Sequence, residues 1–380
     1  MDKVFYSPIQ QCLCQVLQVC KNLTHLTISQ FILSADWLIA LSHLPALRSV
    51  MIGSVSIEDL SVESMIRAGE IPPCSQILTL EIMEPKHEQS RESAGLGIWH
   101  LLLILPSLVT LNHTSMRFIS MFPDGLIREQ TGALFCTLRR LLFSKVNPWD
   151  VPDLINWIES RPNRICTLTH VKLEMVWGLP DDIAIAFVES LELAPLQVLS
   201  LEGLKTGSLE FIDRIAQLFP DLLGLTLIQR ENDRQHKTTM CHWPHPSWEY
   251  AIHFRPFRKL RYFGWNFAIP MFAQTAIPLL AYEKIAEGMD PDKLWLDEEL
   301  WKMLQEDCFH DEQYLAAPFA VHCPTLEVMV LDHGYHPFFC LVSRGERGEI
   351  SLESEFLSTA GWDLKDWNPR LDLGWSSPAL

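Results

Sequence analysis

The sequence predicts an α/β fold built from one unit repeated many times: an irregular solenoid with a parallel inner sheet, helices outside it and a hairpin capping its C-terminal end. Three observations carry this. An apolar pattern with spacings of three, three and two recurs along the chain, its copies keep an interval close to the length of one strand plus one helix, and between copies the apolar spacing turns helical.

Ten copies of the pattern are present. The first is Cys20, Leu23, Leu26, Ile28, followed by Leu44, Leu47, Val50, Ile52 and by Cys74, Ile77, Leu80, Ile82. A weaker copy, Leu105, Leu108, Leu111, has His113 where the last apolar residue belongs. Phe135, Leu138, Leu141, Phe143 restores the pattern, and Ile165, Leu168, Val171, Leu173 and Leu193, Leu196, Leu199, Leu201 continue it. Phe219, Leu222, Leu225, Leu227, then Phe257, Leu260, Phe263, Trp265 and finally Cys323, Leu326, Met329, Leu331 complete the series. Successive copies start 24, 30, 31, 30, 30, 28, 26, 38 and 66 residues apart, a period that chance does not keep. The last two positions of a copy, two apart, fall on one face of a short strand, and the spacings of three bring the preceding turn over the same core. Parallel strands are therefore expected at residues 25–29, 49–53, 79–83, 139–144, 170–174, 198–202, 224–228, 261–266 and 327–331.

Between copies, residues 182–191 and 209–216 read as amphipathic helices, with Pro180 and Asp181 suited to a first turn and Ser208 to a cap. Further helices are expected near residues 11–19, 35–43, 97–105 and 151–160. Residues 266–322 hold no convincing copy and read as an irregular insertion or a degenerate repeat, in which Leu300, Trp301 and Leu304 share one side of a helix over 297–304. The array is assigned to residues 1–332 and a hairpin with a capping tail to 333–380. Residues 337–343 and 349–353 flank Arg344-Gly345-Glu346-Arg347-Gly348, which suits a hairpin turn over the open end of the sheet. The tail from Trp362 reads either as a final lid or as partly disordered.

With this period, the core of Leu23-Thr24-His25-Leu26-Thr27-Ile28 and of Leu196-Gln197-Val198-Leu199-Ser200-Leu201 resembles the leucine-rich repeat, over roughly residues 8–332. The resemblance implies parallel strands lining a curved inner face. The family's Asn or Cys three places after the last leucine is Phe31, Val55, Val176 and Leu204 here, so its regular asparagine ladder is missing. The repeat starts Leu44-Pro45-Ala46-Leu47, Leu105-Pro106-Ser107-Leu108 and Cys323-Pro324-Thr325-Leu326 resemble those in the substrate-binding region of fungal F-box proteins. That resemblance implies substrate recognition for a ubiquitin ligase. No F-box precedes the first repeat, and Leu179-Pro180-Asp181-Asp182-Ile183, which imitates an F-box opening, sits at normal repeat spacing and reads as a repeat helix.

The chain has 380 residues, 48% hydrophobic and 20% charged, enough apolar material for a large core. A net charge of -17 opposes binding to polyphosphate, so nucleic acid is not an expected partner. Residues 1–6 lack a basic region leading into an apolar stretch, and the most apolar segment, 95–111, is broken by His100, Pro106 and Ser107. Neither a secretory signal nor a membrane anchor is expected, and the cytoplasm or nucleus is. The ten cysteines form no CxxC pair. Cys20, Cys74 and Cys323 start repeats, with Cys136 and Cys166 one residue further on, so they read as core atoms.

No phosphate-binding loop, dinucleotide fingerprint, nucleophile elbow or HExxH helix occurs, and no catalytic residue, metal ligand or cofactor is assigned. The best place for chemistry is His236, Cys241, His242, His245 and His253, residue types that ligate zinc, although their spacing fits no zinc signature. Trp243, Pro244 and Pro246 make that segment read as a stiff polar loop, and His333 and His336 around Gly334 read as a turn. The acidic runs at 297–299 and 306–307 read as a solvated helix face rather than an acid–base pair. What remains is the inner face. Strand alternation turns His25, Asn112, His170 and Asp332 toward solvent, together with Glu81, Arg140, Lys172, Glu174, Glu202, Tyr262 and Asn266, the candidate partner-binding residues. That surface is mixed and extended and suits an unknown protein or peptide on the concave face of a monomer better than a small molecule. Three functions compete: a substrate-recognition module resembling F-box leucine-rich-repeat proteins, a free-standing repeat scaffold, and a metal protein or enzyme using the 236–253 loop.

Overall fold

A computed structural model of the chain describes residues 3–29, 32–53, 56–57, 60–83, 98–114, 122–123, 125–230, 243–245, 247–266, 288, 290, 313–332, 337–346 and 348–356. The expected helix at 297–304, most of segment 266–322 and the tail from Trp362 lie outside these residues. The described chain is an α/β protein whose strands pair mostly in parallel and are joined by helices. It divides into two compact units, Met1–Val171 with Leu193–Pro195, and Lys172–Glu192 with Leu196–Leu380.

The first unit begins with α1 (Lys3–Val19), β1 (His25–Ser29), β2 (Ile32–Leu33), α2 (Ala35–Ser42), β3 (Ser49–Gly53), β4 (Ser56–Ile57), α3 (Leu60–Ala68) and β5 (Thr79–Met83). A 3-10 helix, Ile98–Ile104, leads to β6 (Thr110–Thr114), and α4 (Gly125–Thr131) leads through a second 3-10 turn to β7 (Arg140–Val146) and α5 (Val151–Glu159). Strands β1, β3, β5, β6 and β7 lie in chain order and pair parallel without a register break. Over the first four residues of β3, β5, β6 and β7 burial alternates, so Val50, Ile52, Leu80, Ile82, Leu111 and Leu141 enter the core while the residues between them stay half-exposed. The helix expected over 97–105 is of the 3-10 kind. Trp99, His100, Leu101, Leu102 and Ile104 are all buried, so the segment has no amphipathic face, and Pro106 stops it.

Strands β2, β4 and β6 add to the expected set, β2 pairing parallel with β4, and in β6 His113 does occupy the apolar position, 1% exposed and stacked on Trp99 at 5.4 Å between ring centroids. Burial pushes its pKa from the ordinary 6.5 down to about 4. The unfolded chain thus takes up the proton near pH 6.5 and the folded chain only near 4, so stability is full above 6.5 and declines as the pH falls toward 4. A loss of about 2 kcal/mol is expected at pH 5. Thermal melts at pH 7.5 and pH 5 check it: the drop in Tm should be smaller for His113→Leu than for the parent.

The backbone explains how so irregular a sequence keeps register. At eight junctions among the described residues, the carbonyl just ahead of a strand accepts two successive N–H groups from the next copy. Thr24 O accepts from Arg48 and Ser49 (2.9 and 3.1 Å), Arg48 O from Leu78 and Thr79 (2.8 and 3.0 Å), and Leu78 O from Val109 and Thr110 (2.8 and 2.9 Å). Val109 O and Arg139 O continue the series in the first unit, and Gln197, Leu223 and Arg261 repeat it in the second. Main-chain atoms alone make this ladder, so Thr, Arg, Leu, Val and Gln all serve at the junction.

Strand β8 (His170–Leu179) is followed by α6 (Asp181–Ser190), β9 (Val198–Leu204), α7 (Leu209–Leu218), β10 (Gly224–Gln229), α8 (Ser247–Ile252), β11 (Tyr262–Asn266), α9 (Gln313–His322) and β12 (Val328–Asp332). Strands β9 to β12 pair parallel in chain order. The expected hairpin is present as β13 (Pro337–Arg344) and β14 (Ile350–Phe356), and β13 extends the sheet by pairing antiparallel with β12. Helices α6 to α9 pack each on the next. Every residue of β9 and β10 is buried, on both faces of the sheet.

Two repeat starts differ from the sequence reading. Ile165 and Leu193 are 51% and 56% exposed, and the adjacent Cys166 and Ala194 are buried in their stead. Ahead of the first, Asn163 and Arg164 take φ of 55° and 56°, a left-handed step that turns the chain by one further residue. Of the cysteines expected in the core, Cys74, Cys166 and Cys323 are buried, whereas Cys20 and Cys136 are half-exposed, and burial pushes the Cys74 thiol up to about 11.

The loop between β9 and α7 is tied down by its neighbours. The Asp181 carboxylate accepts from Thr206 Oγ1, Gly207 N and Ser208 N at 2.5, 2.9 and 2.7 Å. Burial alone would raise that carboxyl's pKa, but these bonds outweigh it and hold the group below its ordinary value. Ser208 Oγ in turn caps α7 by accepting from Phe211 N at 3.3 Å. Tyr250 OH donates to Gly207 O at 2.8 Å, and Trp243 Nε1 donates to Asn266 O at 2.6 Å. Trp243, 2% exposed, is therefore a core residue against Tyr250 and Trp265 and not part of a polar loop.

Candidate functional site

The half-exposed side of the first unit's sheet is a strip of side chains whose positions the register fixes. One row runs His25, Ser49, Thr79, Thr110, Arg140, and the next runs Thr27, Met51, Glu81, Asn112, Leu142. Glu81 and Arg140 are the charged members of these rows and are both half-buried. Desolvation raises the Glu81 carboxyl above its ordinary pKa and lowers the Arg140 guanidinium below its own. Each charge already stands where water is partly excluded, so part of the desolvation that binding demands is in place beforehand.

The second unit treats the remaining candidates differently. Lys172 and Glu202, expected at the surface, are a buried ion pair, Nζ to Oε1 3.1 Å, with side chains 3% and 1% exposed. Glu174 is half-buried and accepts from Arg230 at 3.3 Å, and the same guanidinium lies 3.5 Å from Glu202 and donates to Met175 O at 2.7 Å. Asn266 is 8% exposed, and its amide bridges the backbone of Gln229, accepting from N and donating to O at 2.7 Å each. His170, which belongs to the first unit, is likewise buried. The solvent-facing assignment of Lys172, Glu202, Asn266 and His170 is therefore corrected. Strand alternation gives the face on which a side chain stands, but here that face is itself buried, and a charge taken there needs a countercharge. Tyr262 stays half-exposed under Arg261, whose Cζ is 5.5 Å from the ring centroid.

The structure thus gathers Lys172, Glu174 and Glu202 into one charged cluster, with Glu81 and Arg140 on the first unit's strip and Tyr262 and Asn266 on β11. Sequence reasoning missed Arg230. The available signal is charge balance, since two carboxylates at the same position of adjacent copies ask for a second cation beyond Lys172, and Arg230 immediately follows β10 in the next copy.

Of the loop with zinc-type residues, His236, Cys241 and His242 lie outside the described residues, as do His333 and His336. His245 Nδ1 is 3.2 Å from Glu249 and His253 Nδ1 is 2.5 Å from Asp213, so these two imidazoles turn to different carboxylates. Among the described residues no group of three His, Cys, Asp or Glu side chains is placed to share a metal ion. No described helix is long and apolar enough to cross a membrane. No protein-family model matches the chain, and no curated protein matches it significantly.

Proposed function

We propose that the chain is a protein-recognition module, an irregular leucine-rich-repeat solenoid that holds a protein or peptide against the strand face bearing Glu81 and Arg140. The observation that carries this reading is the half-exposed strip, whose rows cross five strands with mixed polarity and two partly desolvated charges. Such a face offers many small contacts along a line, which suits an extended epitope. The finer reading is substrate recognition for a ubiquitin ligase, resembling F-box leucine-rich-repeat proteins. Its support is the form of the repeat starts, Leu44-Pro45-Ala46-Leu47 and Cys323-Pro324-Thr325-Leu326 among them. On this reading the protein works in the cytoplasm or nucleus and catalyses nothing itself.

Affinity capture with mass spectrometry recovers the partner, and its affinity is then measured against variants. Glu81→Arg with Arg140→Glu should weaken binding roughly tenfold or more, as loss of central charged contacts does. Glu129→Lys and Glu159→Lys, exposed on α4 and α5, should leave it within about twofold, and all variants should melt close to the parent. Loss of binding in the helix variants but not in the strip variant would overturn the assignment. The same capture separates the finer readings: a ubiquitin-ligase adaptor recovered with the chain and its partner supports the ligase, and the partner recovered without one supports a free-standing scaffold.

A further inference from the structure

The described part of the second unit contains a cleft where positive charge gathers, in a chain of net charge -17. Residues 255–261 hold Arg255, Arg258, Lys259 and Arg261 within one turn of chain. Three of these, with Arg344 from β13, line an open cleft of about 410 Å³ in which Glu327 is the one carboxylate. Leu223 and Pro324 add apolar surface. The junction ladder sets this arrangement, because Arg261 N bonds to Leu223 O and Glu327 N to Arg261 O, both at 2.9 Å, which stacks the three side chains at one position of successive copies.

The four cations are held differently. Arg261 forks onto Glu327 at 2.7 and 2.6 Å. Arg344 donates to the carbonyls of Leu326, Ala320 and Cys323 at 2.6, 2.9 and 3.0 Å, at the end of α9. Lys259 stands 3.7 Å from Asp221, with side chains 61% and 53% exposed, a distance and exposure at which the pair is weak. Among the described residues no hydrogen bond or ion pair engages the exposed Arg258 side chain. A compact dianion such as phosphate is best held by guanidinium forks, and here it would find those of Arg261 and Arg344 already engaged. Carboxylates spaced along an extended chain can instead reach Arg258, Lys259 and the outer edges of the other two, with the backbone between them lying on Leu223 and Pro324. The field of the whole chain disfavours a long polyanion but not a short one.

We propose that this cleft is a second docking site, which takes an acidic, extended peptide segment of a protein partner. It is independent of the strip on the first unit. The test uses the full chain and a fluorescently labelled peptide of alternating glutamate and glycine, read by anisotropy. Binding should weaken as salt rises, fall roughly tenfold or more in Arg258→Glu with Lys259→Glu, and fall by a smaller factor in Arg258→Gln. It should be unchanged in the Glu81 and Arg140 variant, which separates this site from the proposed recognition face. Arg344 is left intact because it holds the end of α9. Absence of binding, or equal binding by parent and double variant, would overturn the proposal. Full competition by inorganic phosphate would overturn it too, in favour of a compact anion site, as would tighter capture of a single-stranded oligonucleotide.

Discussion

Gly207→Ala is expected to destabilise the second unit by about 3 kcal/mol or more, a loss of the size that follows when a fixed backbone is forced against a buried ring. Gly207 has φ of 71°, and a Cβ added there would stand 2.4 Å from Trp243 Cζ3. Neither partner can give way cheaply. Gly207 is held through its N–H by Asp181 and through its carbonyl by Tyr250, while Trp243 is pinned by its own bond to Asn266 O. Gly69 provides a matched control, since it has the same φ of 71° but meets nothing within 4 Å. Gly69→Ala should therefore cost only the left-handed penalty, about 1 kcal/mol. Thermal and urea unfolding of the two variants beside the parent separate strain from collision. Equal losses would mean that Trp243 does not pack over the glycine.

The second large effect belongs to the buried pair on β8 and β9. Lys172→Met removes the cation 3.1 Å from Glu202, 1% exposed, where the Arg230 guanidinium stands farther off at 3.5 Å, and should cost about 3–5 kcal/mol. Adding Glu202→Met removes the second member of the pair and should recover much of that loss, because apolar side chains of similar volume can replace a buried pair at little cost. Unfolding of the parent, both single variants and the double variant closes the cycle. Losses that simply add would show that the two residues do not act as a pair. Reversing the charge of Lys172 is, for the same reason, no probe of a binding surface.

Much of the fold was legible in the sequence because its core is generic. Leu80 and Ile82, or Leu199 and Leu201, announce a strand by spacing alone, and nine expected strands correspond to described ones within two residues at their starts. What spacing could not convey is depth. Glu81 and Lys172 occupy the same alternation within their strands, yet one stands on a half-exposed strip and the other in a buried cluster. Exposure of a sheet face depends on what covers it, and no residue of the strand itself encodes that. The aromatic core around Trp243 escaped for a related reason, since neighbouring Pro244 and His245 make a local reading polar while the ring's partners, Tyr250 and Trp265, come from farther along the chain. The basic cleft was equally hidden, because Arg344 joins Arg258 and Lys259 only through the pairing of β13 with β12.

The junction ladder also decides where this chain can change its length. From the carbonyl that receives two N–H groups to the last core residue of the strand, the count is the same in each copy, as from Thr24 to Ile28, Leu78 to Ile82 and Arg261 to Trp265. The return path carries all the variation, with copies starting from 24 to 66 residues apart. Insertions are thus tolerated on the helical side, where a longer connection costs little loop entropy. A single deletion between Leu78 and Ile82 would instead exchange the two faces of β5 and carry Glu81 into the core. Length is thus free to vary on one side of the molecule, while on the other the count from junction carbonyl to last core residue is fixed by the pairing.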